Sequence, residues 1–423
     1  MKKEFYLQPK IFSALKGYDG GQFVKDLVAG LIVAIIALPL SIALALASGV
    51  EPACGIYTAI AAGFVVALLG GSRVQIAGPT AAFATTVAGV VALHGMDGLF
   101  LATVMAGILL ILMGVCKLGG LIRYIPKTIT VGFTGGIAVT ILLGQVKDFF
   151  GLTYADGLKP VETLEKIEAN LASLGSFSWQ ALVVGVVCLA ILILYPRVEK
   201  RIPPSLIAVV VGALMVAFLP GFQESVYTIG DLYVIPSGIP KVDFGGMDFS
   251  LEKVVAVLPN AVTIALLAGV ESLLSCVVAD GMVKDTHNPN GELVAQGLGN
   301  IASVFFGGIP ATGAIARTAA NVKNGGRTPV AGMVHSAVLL LVLLFLMPYA
   351  ALIPMPAIAA ILFVVAYNMS EWREFVEICK EKDWKNTVIL FVTFAFTVIF
   401  DLVVAIVVGL VIALVFRKIR KNG

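Results

Sequence analysis

The sequence predicts an all-α membrane protein of fourteen transmembrane segments. They form two inverted seven-segment repeats, with two half-helices that have short extended lead-ins. Three observations carry that expectation. The 423 residues are 59% hydrophobic and only 13% charged, whereas soluble domains run near roughly 45–50% apolar and about 25% charged. Apolar runs follow one another with short breaks, as in a chain whose main solvent is lipid. Two of these runs, seven apart in order, open on the same Gly-Pro pattern.

The segments fall near 26–48, 54–70, 79–93, 98–116, 126–147, 179–196, 204–219, 254–276, 291–306, 311–322, 328–347, 350–367, 386–400 and 401–416. A cytoplasmic N-terminal segment, 1–25, precedes the transmembrane domain at 26–417. Its halves are about 26–220 and 254–417, and a cytoplasmic tail follows at 418–423.

The first segment is not a cleaved signal peptide. A long polar stretch precedes it, and the run from Leu27 to Ala47 is long enough to span a bilayer. Pro39 interrupts it; the proline either bends the helix around a ligand, freeing Ser41, or simply kinks it. Segments 79–93 and 311–322 are short for a crossing of about 20 residues. Gly132 and Gly136 in the fifth form a GxxxG suited to close helix packing. Trp372, Phe375, Val376 and Cys379 recur at helical spacing among the charges of Glu371–Lys385, which reads as an interfacial helix lying on the membrane. Asp401, between the last two segments, is expected to be a structural cap.

Loop charge orients the chain, since Lys and Arg accumulate on the cytoplasmic side. With the N-terminus inside, Lys2, Lys3, Lys10, Lys16, Lys25, Arg73, Lys117, Arg123, Arg197, Lys200, Arg201, Lys284, Lys323, Arg327 and the tail cations all fall inside. The outside loops keep Lys147, Lys159, Lys166, Lys241 and Lys253, diluted by Glu162, Glu165, Asp231, Asp243 and Asp248. The expected location is the cell (inner) membrane, with both termini cytoplasmic.

The functional signal lies in Val74-Gln-Ile-Ala-Gly-Pro-Thr-Ala-Ala-Phe83 and Phe306-Gly-Gly-Ile-Pro-Ala-Thr-Gly-Ala-Ile315. An odd number of segments per half gives the halves opposite orientations. Interrupted helices at matching positions of inverted repeats point to a transporter site at the bilayer midplane. Proline suits the first turn of a helix, so Pro79 and Pro310 are read as helix starts. The stretches before them, Val74–Ala77 and Val304–Phe306, are expected to be extended and to pair as a short antiparallel crossing, because backbone at membrane depth must be paired inside the protein. Two helix N-termini facing each other, each with free N–H groups and partial positive charge, make an anion site.

The candidate substrate-binding residues are therefore Thr80, Ala81, Ala82, Phe83, Thr312, Gly313, Ala314 and Arg317. The small ones let a ligand approach the backbone, and Phe83 walls one side. Arg317 supplies a forked donor suited to carboxylate, sulfate or bicarbonate; the alternative is a structural pair, for example with Glu271. Glu271, inside the eighth segment, and Ser275 one turn later are the candidate ion-coupling residues, through a proton or a bound Na+. No other cofactor or metal is implied. Asp280 and Lys284 are expected at the interface.

Several classes are excluded. Cys54, Cys116, Cys188, Cys276 and Cys379 form no CxxC, and His94, His287 and His335 are far apart, so neither disulfides nor a metal centre is indicated. A net charge of +3 without a basic stripe gives no footprint for nucleic acid. No cluster of acids marks an enzyme. The triplet Asn368-Met-Ser370 falls in a cytoplasmic loop and is no glycosylation site.

Taken together, Asp26-Leu-Val-Ala-Gly30, Ala37-Leu-Pro-Leu-Ser41, Gly70-Gly-Ser-Arg73, Ala77-Gly-Pro-Thr-Ala-Ala-Phe83, Ile125-Pro126, Val131-Gly-Phe-Thr134, Glu271-Ser-Leu-Leu-Ser275, Val278-Ala-Asp-Gly-Met282 and the run 307–321 within Gly297 to Arg327 resemble the sulfate permease (SulP) family of anion transporters, from Phe12 to Val415. The resemblance implies core and gate domains, an anion site between segments three and ten, elevator-like movement of the core, and a homodimer. It carries the site to Thr80 and its neighbours and to Ala316-Arg317-Thr318. It makes Glu271 and Ser275 the counterparts of the cation-holding acid and hydroxyl of sodium-coupled bicarbonate members, with Glu standing where those have Asp. Two departures stand out: Leu40 follows the first-segment proline where many relatives have Gln, and the sequence ends at Gly423 without the cytoplasmic STAS domain usual in the family. The expected function is secondary active transport of a small anion (sulfate, bicarbonate or a dicarboxylate) coupled to H+ or Na+. The alternatives are a nucleobase:cation symporter of the same fold and an anion channel.

Overall fold

The computed structural model describes residues 7–120, 126–155, 158, 160, 162–199, 202–235, 238, 250–381, 383–399 and 402–422. Asp401 and several residues of the loop-charge account (Lys2, Lys3, Arg123, Lys159, Lys200, Arg201, Lys241, Asp243 and Asp248) lie outside the described residues.

A short α1 (Ile11–Ala14) precedes α2 (Gly20–Ala47), which begins where Asp19 accepts the Gln22 N–H at 2.7 Å. Pro39 lies within α2 and the helix runs through it. Helix α3 (Pro52–Leu69) takes its proline in the first turn, where the missing N–H costs nothing. Strand β1 (Ala77–Gly78) and a 3-10 turn, Ala81–Phe83, lead into α4 (Ala84–Val115). Gly95 bends α4 with φ 70°, a backbone that glycine alone adopts cheaply; this is the break expected between 93 and 98. Helix α5 (Lys127–Phe150) stops at left-handed Gly151. Then come α6 (Thr163–Ala172), α7 (Trp179–Val198), α8 (Pro204–Phe218) and α9 (Ile229–Leu232).

The second half opens with α10 (Leu251–Val283), longer than its apolar run, and α11 (Pro289–Phe305), capped by Asn288. Strand β2 (Thr312–Gly313) and α12 (Ile315–Lys323) follow. The chain continues as α13 (Pro329–Phe345), α14 (Met355–Met369), α15 (Trp372–Lys380), α16 (Trp384–Ile399) and α17 (Leu402–Asn422). Among the described residues seven helical runs are long and apolar enough to cross a membrane.

Two sequence expectations need correction. Val304–Phe306 is not the extended lead-in. Val304 and Phe305 close α11, because Val304 is buried and the Phe305 ring packs on Phe100 at 5.1 Å. The extended piece lies further on, at Thr312–Gly313, after a turn at Gly307 with φ 72°. Neither proline occupies a first helical turn: Pro79 precedes the cap Thr80 of the turn at Ala81–Phe83, and Pro310 does not start a helix. It precedes the strand, and α12 begins at Ile315, so Thr312, Gly313 and Ala314 belong to the lead-in rather than to the helix.

The chain divides into two compact units. One comprises Met1–Ile122, Glu199–Ile207 and Thr228–Ile353; the other comprises Arg123–Val198, Ala208–Tyr227 and Pro354–Gly423. Each draws on both halves of the sequence, as intertwined repeats require. In the first unit α4 and α11 cross closely: a Cβ at Gly107 would sit 2.7 Å from the Gly297 carbonyl, and one at Gly297 would sit 2.5 Å from the Gly107 carbonyl. In the second unit the GxxxG residues do what their spacing suggests. A Cβ at Gly132 would meet the Leu390 carbonyl at 2.9 Å, and one at Gly136 would meet Thr397 Cβ at 2.6 Å, both on α16.

Asp26 ties α2 to the start of α13 within the first unit. Fully buried, it accepts the Thr328 hydroxyl at 2.6 Å, the Arg327 N–H at 2.9 Å, the Tyr18 hydroxyl at 3.1 Å and Gln22 Nε2 at 3.0 Å. Burial, and then the Asp26 charge, push the Tyr18 phenol up to about 12, so it remains a donor at any physiological pH.

Candidate functional site

The site is built on a crossing of two short strands within the first unit. Strands β1 and β2 pair antiparallel, Ala77 opposite Gly313 and Gly78 opposite Thr312. The Ala314 N–H adds a bond to the Ile76 carbonyl at 2.9 Å, and the Ile76 N–H donates to Thr318 Oγ1 at 3.0 Å. The broken helices leave this crossing at Ala81 and at Ile315. An extended backbone at this depth needs partners from the protein, and side chains supply them. Asn300 clasps Ala311 from both sides: its Nδ2 donates to the Ala311 carbonyl at 2.8 Å, and its Oδ1 accepts the Ala311 N–H at 2.9 Å. Thr58 accepts the Ile309 N–H at 2.7 Å, and Ser303 donates to the Ile309 carbonyl at 2.7 Å.

Helix α10 closes the back of the crossing. Thr312 Oγ1 donates to the Ala268 carbonyl at 3.1 Å. With that proton committed, Ser272 Oγ donates to Thr312 Oγ1 at 2.7 Å while accepting the Gly313 N–H at 3.0 Å. Gln75 Nε2 donates to the Ser272 carbonyl at 3.1 Å, and a Cβ at Gly313 would collide with that amide. Gly313 is therefore small because Gln75 occupies the space beside it.

Thr80, half-buried, donates its hydroxyl to Glu271 Oε2 at 2.8 Å. The two halves of the proposed site, substrate and coupling, thus touch. Ala81, Ala82 and Phe83 are buried beside it, and Ala316 is exposed in the first turn of α12. Arg317 follows Ala316 in that turn and is 1% exposed. One terminal nitrogen, Nη2, donates to the Pro79 carbonyl, while Nε and Nη1 have no partner. The guanidinium fits there because Gly78 lacks a side chain; a Cβ at Gly78 would stand 2.5 Å from Nη1. Among the described residues Arg317 makes no ion pair with Glu271, the structural alternative weighed from sequence. Ser275 is fully buried on α10 and donates to Thr318 Oγ1 at 3.4 Å. Ser41, also buried, has no hydrogen-bond partner.

Sequence reasoning missed Gln75, Ser272 and Asn300, which hold the crossing together with the expected Thr318. Their signal was weak but present: each is a polar residue inside a run that is otherwise small or apolar. For a coupling ion, the oxygens on hand are the Glu271 carboxylate and the Thr80, Ser275 and Thr318 hydroxyls. They are hard donors that fit Na+ or a proton better than a soft transition metal. Among the described residues no three His, Cys, Asp or Glu side chains gather as a metal site would require.

An inverted repeat whose two broken helices meet in a two-stranded crossing defines a membrane transporter rather than an enzyme. The chain belongs to the sulfate permease family, which residues 23–393 match. It is 44% identical over 392 residues to YvdB of Bacillus subtilis (strain 168), which carries a provisional sulfate-transporter name; the match covers 92% of this chain and 72% of that one. It is 32% identical over 389 residues to the bicarbonate transporter BicA of Picosynechococcus, covering 89% of this chain and 67% of that one. Among solved structures, the transmembrane domain of a cyanobacterial bicarbonate transporter, BicA, superposes with a TM-score of 0.80 at 28% identity, over 94% of this chain and 98% of that one. The murine Slc26a9 anion transporter in the inward-facing state gives 0.88 at 18% identity, over 99% and 73%, a likeness of fold alone.

Proposed function

We propose that the protein is a secondary active transporter of a small oxyanion (sulfate, bicarbonate or a dicarboxylate) coupled to H+ or Na+, with the anion held between the N-termini that begin at Ala81 and Ile315. The observation that carries this reading is Arg317. It is a fully buried cation, fixed by a single bond to the Pro79 carbonyl, with two guanidinium nitrogens still lacking acceptors. A buried charge with unmet donors is costly, and an oxyanion would supply an acceptor that the protein does not. In this reading the small residues Thr80, Ala81, Ala82, Thr312, Gly313, Ala314 and Ala316 let the anion approach the backbone, and Phe83 walls one side.

Glu271 is the coupling group. Its bond from Thr80 links the charge state of the carboxylate to the lip of the anion pocket, and Ser275 adds a hydroxyl one helical turn away. Relatives named for sulfate and for bicarbonate support an oxyanion cargo without choosing one. Elevator-like motion, a homodimer, and cytoplasmic termini in the cell (inner) membrane complete the reading. The test is uptake by proteoliposomes given sulfate, bicarbonate and dicarboxylates in turn, under imposed Na+ and then pH gradients. Accumulation of one anion against its gradient supports the proposal. Flux that never exceeds equilibrium with every anion and gradient overturns the active-transport reading.

A further inference from the structure

A second cavity lies in the other unit, remote in sequence from the strand crossing. Gly135, Ala138, Val139 and Leu142 of α5 line one wall; Ala366, Tyr367, Trp372, Phe375, Val376 and Phe394 line the rest, around about 520 Å3. Its lining is hydrocarbon and aromatic apart from two hydroxyls, and that of Ser370 is already spent on the Tyr367 carbonyl at 2.8 Å. Water needs two to four polar partners to stay in a cavity, and this wall offers almost none. Leu142, Tyr367, Trp372 and Val376 are nonetheless exposed, so the cavity is open at its side.

The surroundings identify the occupant. Helix α15 carries its charges on one face and packs Phe375, Ile378 and Cys379 against Val131 and Leu390 on the other. Lys127 at the start of α5 pins it through Glu374 at 2.5 Å. Trp372 and Tyr367 sit at the mouth, as aromatic residues do at a membrane–water boundary. From Gly135 to Leu142 the cavity follows α5 for about 10 Å at 1.5 Å per residue, within the roughly 15 Å that half a hydrocarbon core provides. Exposed Arg373 follows the lining residue Trp372 in α15, its guanidinium 5.5 Å from the Trp372 ring, and among the described residues no carboxylate pairs with it.

We propose that this cavity binds one acyl chain of an anionic phospholipid, with the lipid phosphate on Arg373 and the chain running past Val139 toward Leu142. The site wedges lipid between α5, α14 and α16 under the interfacial helix, so the bound lipid sets how tightly α15 is held to the unit.

Trp372 is its own reporter, since the chain has only 3 tryptophans. In a Trp179→Phe/Trp384→Phe background, reconstituted protein is titrated with brominated-acyl phosphatidylglycerol and, separately, brominated-acyl phosphatidylcholine. The expected result is a saturable quenching component with about fivefold preference for the anionic lipid, the ratio one Arg contributes at a charged surface. Arg373→Gln should erase the preference and keep the component. Val139→Phe, or Leu142→Phe if the first variant does not fold, should fill the cavity and remove the component. Quenching that stays proportional to bulk lipid content, or is unchanged by both filling variants, overturns the proposal. So does a component that disappears when the protein self-associates, because the occupant would then be a second copy of the chain.

Discussion

Arg317 can be a binding group only if its fork matters as well as its charge. Arg317→Ala should lower anion uptake at least tenfold while leaving the yield of folded protein near wild type. Arg317→Lys should recover little, because an ammonium cannot both keep the bond to the Pro79 carbonyl in the guanidinium's plane and present the further donors at Nε and Nη1. Wild-type uptake by either variant would remove the residue from the site. Glu271→Gln keeps the size of the side chain and an acceptor for Thr80 but deletes the charge. Uptake should then lose its dependence on the imposed cation gradient, and an unchanged gradient dependence would exclude Glu271 from coupling. Asp26 answers to stability rather than transport. Five donors converge on it, so Asp26→Ala should cost about 2–4 kcal/mol, read as a fall in the thermal midpoint in detergent; an unchanged midpoint would show those bonds to be dispensable.

At the scale of elements, the strand crossing was legible in outline and displaced in detail. The Gly-Pro motifs revealed two interrupted helices, and the need to pair backbone at membrane depth revealed that their lead-ins would meet. The first lead-in, expected at Val74–Ala77, is shifted only slightly, to Ala77–Gly78 directly before Pro79. The second lies elsewhere, because the apolar residues Val304 and Phe305 have a packing use in α11 that periodicity alone could not distinguish from strand. Asn300 clasping Ala311, and Gln75 filling the space beside Gly313, showed only as lone polar residues in small or apolar runs. A hydrogen bond outside a regular helix or strand leaves no periodic trace that names its partner. Gly313→Ala should therefore be damaging out of proportion to its size, reducing uptake at least tenfold, whereas uptake near wild type would mean that Gln75 can step aside. Helix packing supplies the control pair. Gly107→Ala drives a methyl into the Gly297 carbonyl and should lower the thermal midpoint, whereas Gly89→Ala, with nothing within 4 Å, should hold or slightly raise it. Equal effects would refute the close-crossing account.

For the whole molecule, composition and the succession of apolar runs were enough to predict a helical membrane protein, and each half proved to contribute helices to both compact units. That interleaving was expected only through resemblance to a family. Hydropathy records how long a helix is, not which helix it will pack beside. The identity of the cargo belongs to this scale as well, since backbone N–H groups and one guanidinium suit any of several oxyanions. Competition in proteoliposomes should rank them: the true substrate should suppress labelled uptake at lower concentration than its rivals, and equal suppression by all would mark an unselective pathway.

The pairing of Ala77 with Gly313 has a consequence for biosynthesis. The partners are 313 − 77 = 236 residues apart, so at about 5–20 residues per second the ribosome needs roughly 10–50 s to deliver the second after the first. Until β2 is made, the backbone groups of β1 lack the partners they have in the folded chain, and unpaired backbone at membrane depth is costly.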